Sequence, residues 1–441
     1  MKALFVIIMG LCLNVSYAQE PDTTKTLIQA KELDEVVVKA SYLTRESDHI
    51  LAIPTKEQRK HAVTGYDLLN NLMIPGVSVE RSTGSVTTPA GAATLYIDGR
   101  EVDFREVQSL RPKDIARVEY FDVPTGKYAK DAYAINIVMK PLNNGGYTQL
   151  DAFQGVGYLN GDYNLISKFV TGTKSLNLWA GYSLENPKSS TNEKEVFRFP
   201  DYQLNKQQYY NNARNKQTEE YVQASISNRG KKYIWMLRGG MAWNDIRNNV
   251  NNGIMDYWKT DAPVKDGSIL NLDSRNKTYR PSVYFYRLHT FSNTKSLDYV
   301  FDGYYSRNDY NRFHNEDDAS FHSLVKEDYY YVKANANYSM TFSHRNRLAF
   351  SLFEFMRISD SEYTGTSTYN QNLRSSETIL FADYSQRFGR FFFDINPGLS
   401  FLTYRLRGME SINHLTPRLQ ARATYKIDKV QQLQFTFALG N

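Results

Sequence analysis

The densest group of side chains that could do chemistry lies in one short segment of the chain. Two imidazoles and three carboxylates occur there, namely His314, Glu316, Asp317, Asp318 and His322. Imidazoles and carboxylates together bind transition metals, and carboxylates alone bind calcium. A solvated polar loop has the same composition without any bound ion. We favour the loop, expect no metal and no other cofactor, and keep His314, Asp317, Asp318 and His322 as the candidate metal ligands.

Catalytic motifs give no second candidate. The sequence has no serine-hydrolase elbow, no zinc-protease motif and no phosphate-binding loop, so we expect that the protein is not an enzyme. Its one cysteine, Cys12, excludes intrachain disulfides and paired-cysteine metal sites. A net charge of +6 over 441 residues is too small to indicate nucleic-acid binding.

The N-terminus has the pattern of an export signal. Lys2 precedes an apolar run over residues 3–13, which is too short to span a bilayer as a helix. Ser16 and Ala18 then supply the small residues of a signal-peptidase site. We predict a signal peptide over residues 1–18, cleaved after Ala18, which removes the cysteine. A lipid anchor on Cys12 is the alternative, although Leu11 before it is not small.

Aromatic residues divide the remaining chain into two parts. Residues 1–146 contain 10 of the 61 aromatic residues, and residues 147–441 contain the other 51. The second part also shows repeated alternation of apolar and polar residues, which is the pattern of strands with two different faces. The clearest example is residues 175–184, in which Leu176, Leu178, Ala180, Tyr182 and Leu184 share one face. We therefore predict a boundary near residues 143–146.

The alternating segments predict about 13 strands. Most are longer than the ~5–6 residues of a strand in a soluble sheet and reach the roughly 9–11 residues that cross a membrane. The predicted strands cover residues 147–158, 162–170, 175–184, 217–227, 231–244, 279–291, 296–307, 327–342, 347–357, 377–387, 391–404, 415–426 and 430–440.

The predicted connections alternate between short and long after the second strand. Membrane barrels have short turns at one end and long loops at the other, whereas a soluble sandwich has no reason to keep that parity. Tyrosine and tryptophan are also enriched at membrane interfaces. The second part therefore indicates a transmembrane antiparallel β-barrel over residues 147–441. The predicted long loops cover residues 185–216, 245–278, 308–326, 358–377 and 405–414.

The segment before these strands reads as a small α/β domain. Thr64 and Asp67 have the spacing of a capping box that opens a short helix, and Asp98-Gly99 has the sequence of a tight hairpin turn. The order of four motifs, at residues 67–80, 94–102, 111–124 and 134–141, resembles the plug domain of TonB-dependent outer-membrane receptors. That resemblance implies a plug over residues 54–141 and a 22-stranded barrel that takes up nutrients across the outer membrane of a Gram-negative bacterium.

The segment over residues 19–53 is then expected in the periplasm. It contains a short β-branched run that resembles the TonB box of such receptors, formed by Leu33, Asp34, Glu35, Val36, Val37 and Val38. A run of this kind can add a strand to the sheet of a partner, which the resemblance identifies as a TonB-type energy-transducing protein. A first strand of the plug is the alternative interpretation of the same residues.

Ligand-binding residues are less well marked. Arg81, Ser82 and Thr83 in a plug loop, and Tyr209, Tyr210 and Trp258 in the predicted outer loops, are the candidates. Positive and negative charges nearly balance in those loops, which favours a neutral ligand such as an oligosaccharide over a highly charged one. Expected partners are outer-membrane lipid, an extracellular small molecule or oligosaccharide, a TonB-type protein and a surface lipoprotein.

The strand count differs from that of the family. Thirteen strands is an odd number, bacterial single-chain barrels have even numbers, and 22 are implied by the resemblance. We therefore expect the barrel to be incomplete, as in a fragment or a truncated gene product. Three functions are considered: a TonB-dependent receptor, a non-transporting barrel that serves as an adhesin or assembly protein, and a barrel enzyme. The third lacks the acid–base pair that it would need.

Overall fold

The computed structural model describes residues 42–46, 49–80, 84–88, 91–122, 124, 126–128, 130–140, 144–259, 262–342, 346–427 and 432–440. The predicted signal peptide, residues 33–38 and the candidates Arg81, Ser82 and Thr83 lie outside this set. Among the described residues, no helix has the length and hydropathy needed to cross a lipid bilayer.

Residues 42–140 form the small α/β domain, for which we keep the name plug. Its main sheet has the strand order β1-β2-β8-β9-β6-β7, in which β6 and β9 are parallel and the other pairs antiparallel. The elements are β1 Leu43–Arg45, β2 Ile50–Ala52, α1 Lys56–Lys60, α2 Gly65–Asn71, β3 Ser78–Glu80, β4 Ser85–Thr88, β5 Gly91–Ala92, β6 Thr94–Ile97, β7 Arg100–Glu101, α3 Phe104–Gln108, β8 Ile115–Phe121 and β9 Ala134–Met139, with 3-10 turns at Pro112–Asp114 and Gly126–Tyr128.

Local sequence determines the ends of these elements. The predicted capping box at the start of α2 is confirmed, because Asp67 N donates to Thr64 Oγ1 at 3.2 Å and Thr64 N donates to Asp67 Oδ2 at 3.0 Å. The helix then buries Leu68 and Leu69 against the sheet. The sheet also includes β1 and β2, so the folded domain begins upstream of residue 54.

The rest of the chain forms one long antiparallel ladder, which we call the wall. It runs from β10 to β23 in chain order. The strands are β10 Asn144–Gln154, β11 Leu159–Thr171, β12 Lys174–Asn186, β13 Lys188–Arg198, β14 Gln203–Arg229, β15 Tyr233–Lys259, β16 Ala262–Ser292, β17 Lys295–Glu316, β18 Ala319–Thr341, β19 Arg347–Gly365, β20 Tyr369–Phe388, β21 Phe391–Leu406, β22 Ile412–Lys426 and β23 Gln432–Leu439.

Thirteen of these strands lie along the ladder, as predicted, and β13 is the exception. Both β12 and β13 pair antiparallel with β14, at residues 217–228 and 203–214 respectively. The two therefore follow the same line, and β13 continues β12 beyond Pro187. The mainly β fold class with a preceding α/β plug is confirmed.

The predicted long loops are wrong in their conformation. Residues 245–278, for example, belong almost entirely to the outer halves of β15 and β16. The hairpin of β17 and β18 turns within two residues, Asp317 and Asp318. The two ends of the wall still differ. At one end the strands stop at short turns, and at the other they continue as long hairpins. Cross-strand hydrogen bonds continue in these segments, although the alternation of apolar and polar residues stops. The prediction relied on that alternation, so it ended the strands too early.

The outer face of the wall exposes apolar residues, and polar residues between them are buried. On β19, Phe350 and Leu352 are 48% and 42% exposed, whereas Ser351 between them is 3% exposed. On β20, Leu380 is 51% exposed and the neighbouring inward Asp383 is fully buried. This is the reverse of a soluble sheet and the arrangement of a wall that faces lipid on its outside. The inner face, which the plug contacts, combines polar residues with buried apolar ones such as Met236, Phe353 and Phe381.

Candidate functional site

The contact between the plug and the inner face of the wall includes several buried charged side chains, among them Arg105, Glu106 and Lys333. Its first part is the hairpin of β6 and β7. Asp98 and Gly99 both have positive φ, 51° and 77°, which is the turn type that Asp-Gly favours. A Cβ on Gly99 would lie 2.0 Å from Lys127 Nζ, so a side chain there would displace the end of that lysine. The turn places Asp98 Oδ2 2.6 Å from Arg229 Nη2 at the end of β14.

Glu101, at the end of the same hairpin, joins two lysines. Its carboxylate accepts from Lys333 Nζ of β18 at 2.7 Å and lies 3.0 Å from Lys130 Nζ of the plug. Lys130 also binds Asp131 at 2.7 Å. Burial raises the pKa of Glu101, but the two ammonium groups outweigh burial and lower that pKa to about 2. The carboxylate is therefore charged at neutral pH and holds the plug to β18.

Glu106 forms a second junction with arginines. Asp103 caps the N-terminus of α3, the helix that carries Glu106. Arg100 donates to both oxygens of Glu106, at 3.0 and 2.6 Å, and Arg238 of β15 donates to one of them. Burial raises the pKa of Glu106, and the two guanidinium groups outweigh it, so the net shift is downward. A bidentate pair of this kind fixes the orientation of both partners.

Arg105, the neighbour of Glu106, binds the strand of the wall next to that of Arg238. It pairs with Glu219 of β14, and its guanidinium carbon lies 3.7 Å from the ring centroid of Tyr221. Two further contacts reach the ends of the ladder. Tyr147 of β10 donates to Ser109 O at 3.1 Å, and Arg45 donates to Gln434 of β23 at 2.8 Å. The plug therefore contacts the wall from its first strand to its last.

A cavity of about 280 Å³ remains between the plug and β10–β16. Its lining includes Ser109 and Leu110 of the plug and Lys168, Trp179 and Tyr286 of the wall. Residues of two short turns, 172–174 and 229, also line it, so the cavity reaches the short-turn end of the wall. The plug thus leaves open space between itself and this part of the wall.

The candidate metal ligands do not come together. His314 pairs with Phe321 and His322 with Phe313, so the two imidazoles lie on opposite faces of the hairpin. The His322 ring stacks on Phe313 at 3.9 Å, and Asp317 accepts from Ile269 N at 2.7 Å. In the described part of the chain, no three His, Cys, Asp or Glu side chains are arranged to hold a metal ion.

The candidate ligand residues of the outer hairpins are also dispersed. Tyr209 pairs with Ile254, Tyr210 donates to Gln208, and Lys194 Nζ lies 5.3 Å from the Trp258 ring. All three aromatic residues lie on the outer halves of β14 and β15. They stay predictions for ligand binding, as do Arg81, Ser82 and Thr83.

The sequence did not single out Glu101, Glu106, Arg238 or Lys333. One signal was present: Arg238 and Lys333 occupy the inward positions of strands whose other face is apolar or aromatic. Long cations at such positions indicate that something polar faces the strand. Their partners lie far away in sequence, 232 residues for Lys333 and Glu101.

Comparisons with known proteins give structural neighbours alone. No family model and no curated protein matches the chain. The solved ferric yersiniabactin uptake receptor FyuA from Yersinia pestis is similar with a TM-score of 0.43 and 10% identity, over 89% of this chain and 79% of that one. The copper transporter OprC has a TM-score of 0.39 and 9% identity, over 90% and 79%. BauA, the ferric preacinetobactin receptor from Acinetobacter baumannii, has a TM-score of 0.34 and 7% identity, over 88% of this chain and 84% of that one.

Proposed function

We propose that the protein is a TonB-dependent outer-membrane receptor that takes up a nutrient ligand, such as a siderophore or a glycan. One observation carries the proposal: a plug with its own hydrophobic core is held by ion pairs to the inner face of a wall whose outer face is apolar. Such a plug can move without exposing its core, because only its contact with the wall has to open. When the contact opens, water replaces Lys333 at Glu101 and Arg238 at Glu106.

The periplasmic partner supplies the force in this proposal. Residues 33–38 lie nine or fewer residues before Tyr42, where the described plug begins. A TonB-type protein that adds a strand from this segment to its own sheet can pull on β1, and Arg45 at the end of β1 binds both Asp122 and Gln434. Pulling on this end therefore acts directly on a plug–wall contact. Outer-membrane lipid surrounds the wall, and a surface lipoprotein is a further proposed partner.

A cysteine-labelling experiment tests the proposal without knowledge of the ligand. The chain has a single cysteine, in the predicted signal peptide, so Ser109→Cys introduces one reactive thiol into the mature protein. Ser109 is 5% exposed and lies in the plug–wall contact. In cells grown in complex medium, we expect a small charged thiosulfonate to label this thiol several-fold faster when the inner membrane is energised and the TonB-type protein is present.

Two deletions provide the matched comparison. Removing residues 33–38 is expected to reduce labelling to the level of de-energised cells, and removing residues 22–27, of the same length, is expected to leave it unchanged. Labelling that ignores energisation and both deletions would contradict the receptor and favour a non-transporting adhesin or assembly barrel.

A further inference from the structure

Three tyrosines of the inner face pack together just outward of the Glu101 contact. They are Tyr304 of β17 with Tyr329 and Tyr331 of β18, and we call them the tyrosine cluster. The ring centroid of Tyr304 lies 5.1 Å from that of Tyr331 and 5.9 Å from that of Tyr329, with interplanar angles of 29° and 33°. Tyr331 lies two residues from Lys333 on the same face, which is about 7 Å along the strand.

An arginine lies over each end of this cluster. The guanidinium carbon of Arg280 is 5.6 Å from the Tyr304 centroid, and that of Arg357 is 5.8 Å from the Tyr331 centroid. Both arginines are exposed to solvent. No carboxylate of the described residues lies within 4.0 Å of either guanidinium, whereas Arg100, Arg105, Arg229 and Arg238 at the plug contact are each paired with one.

The carboxylates that face this region are engaged elsewhere. Asp302 lies two residues from Tyr304, and its oxygen is 3.9 Å from Lys333 Nζ. Glu327 lies two residues from Tyr329 and accepts from Asn308 at 2.8 Å and from Ser359 at 2.5 Å. Neither carboxylate neutralises Arg280 or Arg357 by direct contact. The surface therefore presents two exposed cations beside three half-buried aromatic rings.

We propose that the tyrosine cluster, with Arg280 and Arg357, binds a flat organic anion, in which a ring carries carboxylate or phenolate oxygens. A guanidinium that lies over an aromatic face keeps its edge N–H groups free for two parallel hydrogen bonds to such oxygens. The tyrosine faces stack on the ring in an offset arrangement. This inference rests on the proposed function and names the ligand class of that receptor. It replaces the neutral ligand favoured by the charge of the outer segments.

The inward direction of the two arginines explains why loop charge does not predict this ligand. Arg280 follows the predicted outer segment 245–278, and Arg357 precedes the predicted outer segment 358–377, so neither enters a count of loop charge. Both are on strands whose inner face the register fixes, with Arg280 paired to Ala242 and Arg357 paired to Tyr331. Local charge on the inner face decides which ligand is attracted at short range, because charges beyond a Debye length are screened.

Calorimetric titration of the purified protein in detergent tests the site with a matched pair of probes. Salicylate carries a carboxylate on a flat ring, and salicylamide has the same ring without the charge. We expect salicylate to bind at least tenfold more tightly, and its affinity to fall as salt is raised. The double variant R280Q/R357Q is expected to lose at least tenfold in salicylate affinity and to leave salicylamide binding unchanged.

Two controls keep the result specific. Arg307→Gln removes a cation from the same strand as Tyr304, but on its outer face, where Arg307 pairs with Asp328 at 2.8 Å, and is expected to have no effect on binding. R280K/R357K keeps both positive charges but cannot form two parallel hydrogen bonds to a carboxylate. It is expected to bind salicylate more tightly than R280Q/R357Q and less tightly than the unchanged protein. Circular dichroism, and the change in electrophoretic mobility on heating, verify that every variant is folded.

Equal binding of the two probes, binding of neither, or tighter binding of maltotriose than of salicylate would each overturn the anion site. These outcomes are separate from the receptor test. The titration needs no energised membrane, and the labelling of Ser109→Cys needs no identified ligand.

Discussion

The plug and the wall bury their side chains in opposite directions. In the plug, Leu72, Ile135 and Ile137 are fully buried, as in a soluble domain. In the wall, Phe435 and Leu433 at the last strand are 66% and 69% exposed, while the neighbouring strand buries Arg422 and Thr424. The plug is stabilised by apolar burial in water, and the wall by hydrogen-bonded pairing that leaves apolar surface for lipid.

The comparison explains the chemistry of their contact. The two surfaces that meet there carry charged side chains, because the plug packs its main apolar cluster in its own core and the wall turns many of its apolar residues outward. Ion pairs such as Lys333–Glu101 and Arg238–Glu106 are the result. A contact of this type can separate in water at a modest cost, whereas an apolar contact could not.

The largest effect is expected from the plug core. Ile135→Ala removes a fully buried side chain from β9, and roughly 2–5 kcal/mol of plug stability should be lost through the cavity that remains. Hydrogen exchange of plug amides measures this loss, and wall amides should be unaffected. Val63→Ala, at a side chain that is 69% exposed, is the control. Loss of protection in the wall as well would mean that the two regions fold as one unit.

A charge on the outer face of the wall should rank second. Leu352→Arg places a cation where the side chain is 42% exposed on the apolar face, at a cost of roughly 2–4 kcal/mol near the bilayer midplane. Denaturant titration of the protein folded into lipid vesicles measures the cost, with Leu352→Met as the conservative control. If Leu352→Arg is as stable as Leu352→Met, the outer face of β19 does not face lipid.

The plug–wall contact should give the smallest of the three effects. Glu101→Gln leaves Lys130 and Lys333 without their shared carboxylate, and we expect the plug to detach more easily by about 2 kcal/mol, after allowance for partial solvent access. Because the pKa of Glu101 is lowered to about 2, its contribution is complete above about pH 4.5 and is lost as the pH falls toward 2.

Labelling of Ser109→Cys in the purified protein measures this detachment, with a disulfide reagent that is active at low pH. The labelling rate should increase between pH 5 and pH 3 when Glu101 is present. It should change less over the same range in the Glu101→Gln variant, because the substituted amide does not titrate. Arg229→Gln, at an arginine whose side chain is 50% exposed, should change detachment by less than about 1 kcal/mol. Equal effects of the two substitutions would remove the special role of Glu101.

Sequence reasoning reached the elements whose causes are local. The capping box of Thr64 and the Asp98-Gly99 turn depend on a few neighbouring residues, so their types alone predicted them. The thirteen strands followed from alternation that the lipid-facing side imposes. The outer hairpins were predicted as loops, because residues such as Asn248 and Asn249 carry no alternation although they pair with Ser274 and Asp273.

The candidate site could be predicted only in part for a related reason. Ionic partners such as Arg105 and Glu219 are 114 residues apart, and which strand faces which plug residue depends on the register of many intervening pairs. The histidines and aspartates near residue 318 looked like a cluster because they are close in sequence. Alternation along the hairpin separates His314 from His322 onto opposite faces.

By itself, the sequence determined two kinds of region, the parity of the strands and the plug motifs, because solvent and lipid select side chains residue by residue. The tertiary structure decided which charged side chains form ion pairs and which, among the described residues, have no opposite charge beside them. Only the assembled wall brings Arg280 and Arg357 from distant strands over one tyrosine cluster, and only the seated plug neutralises Lys333 with Glu101. These contacts depend on how the strands pair with one another, and the composition of a short segment does not determine that pairing.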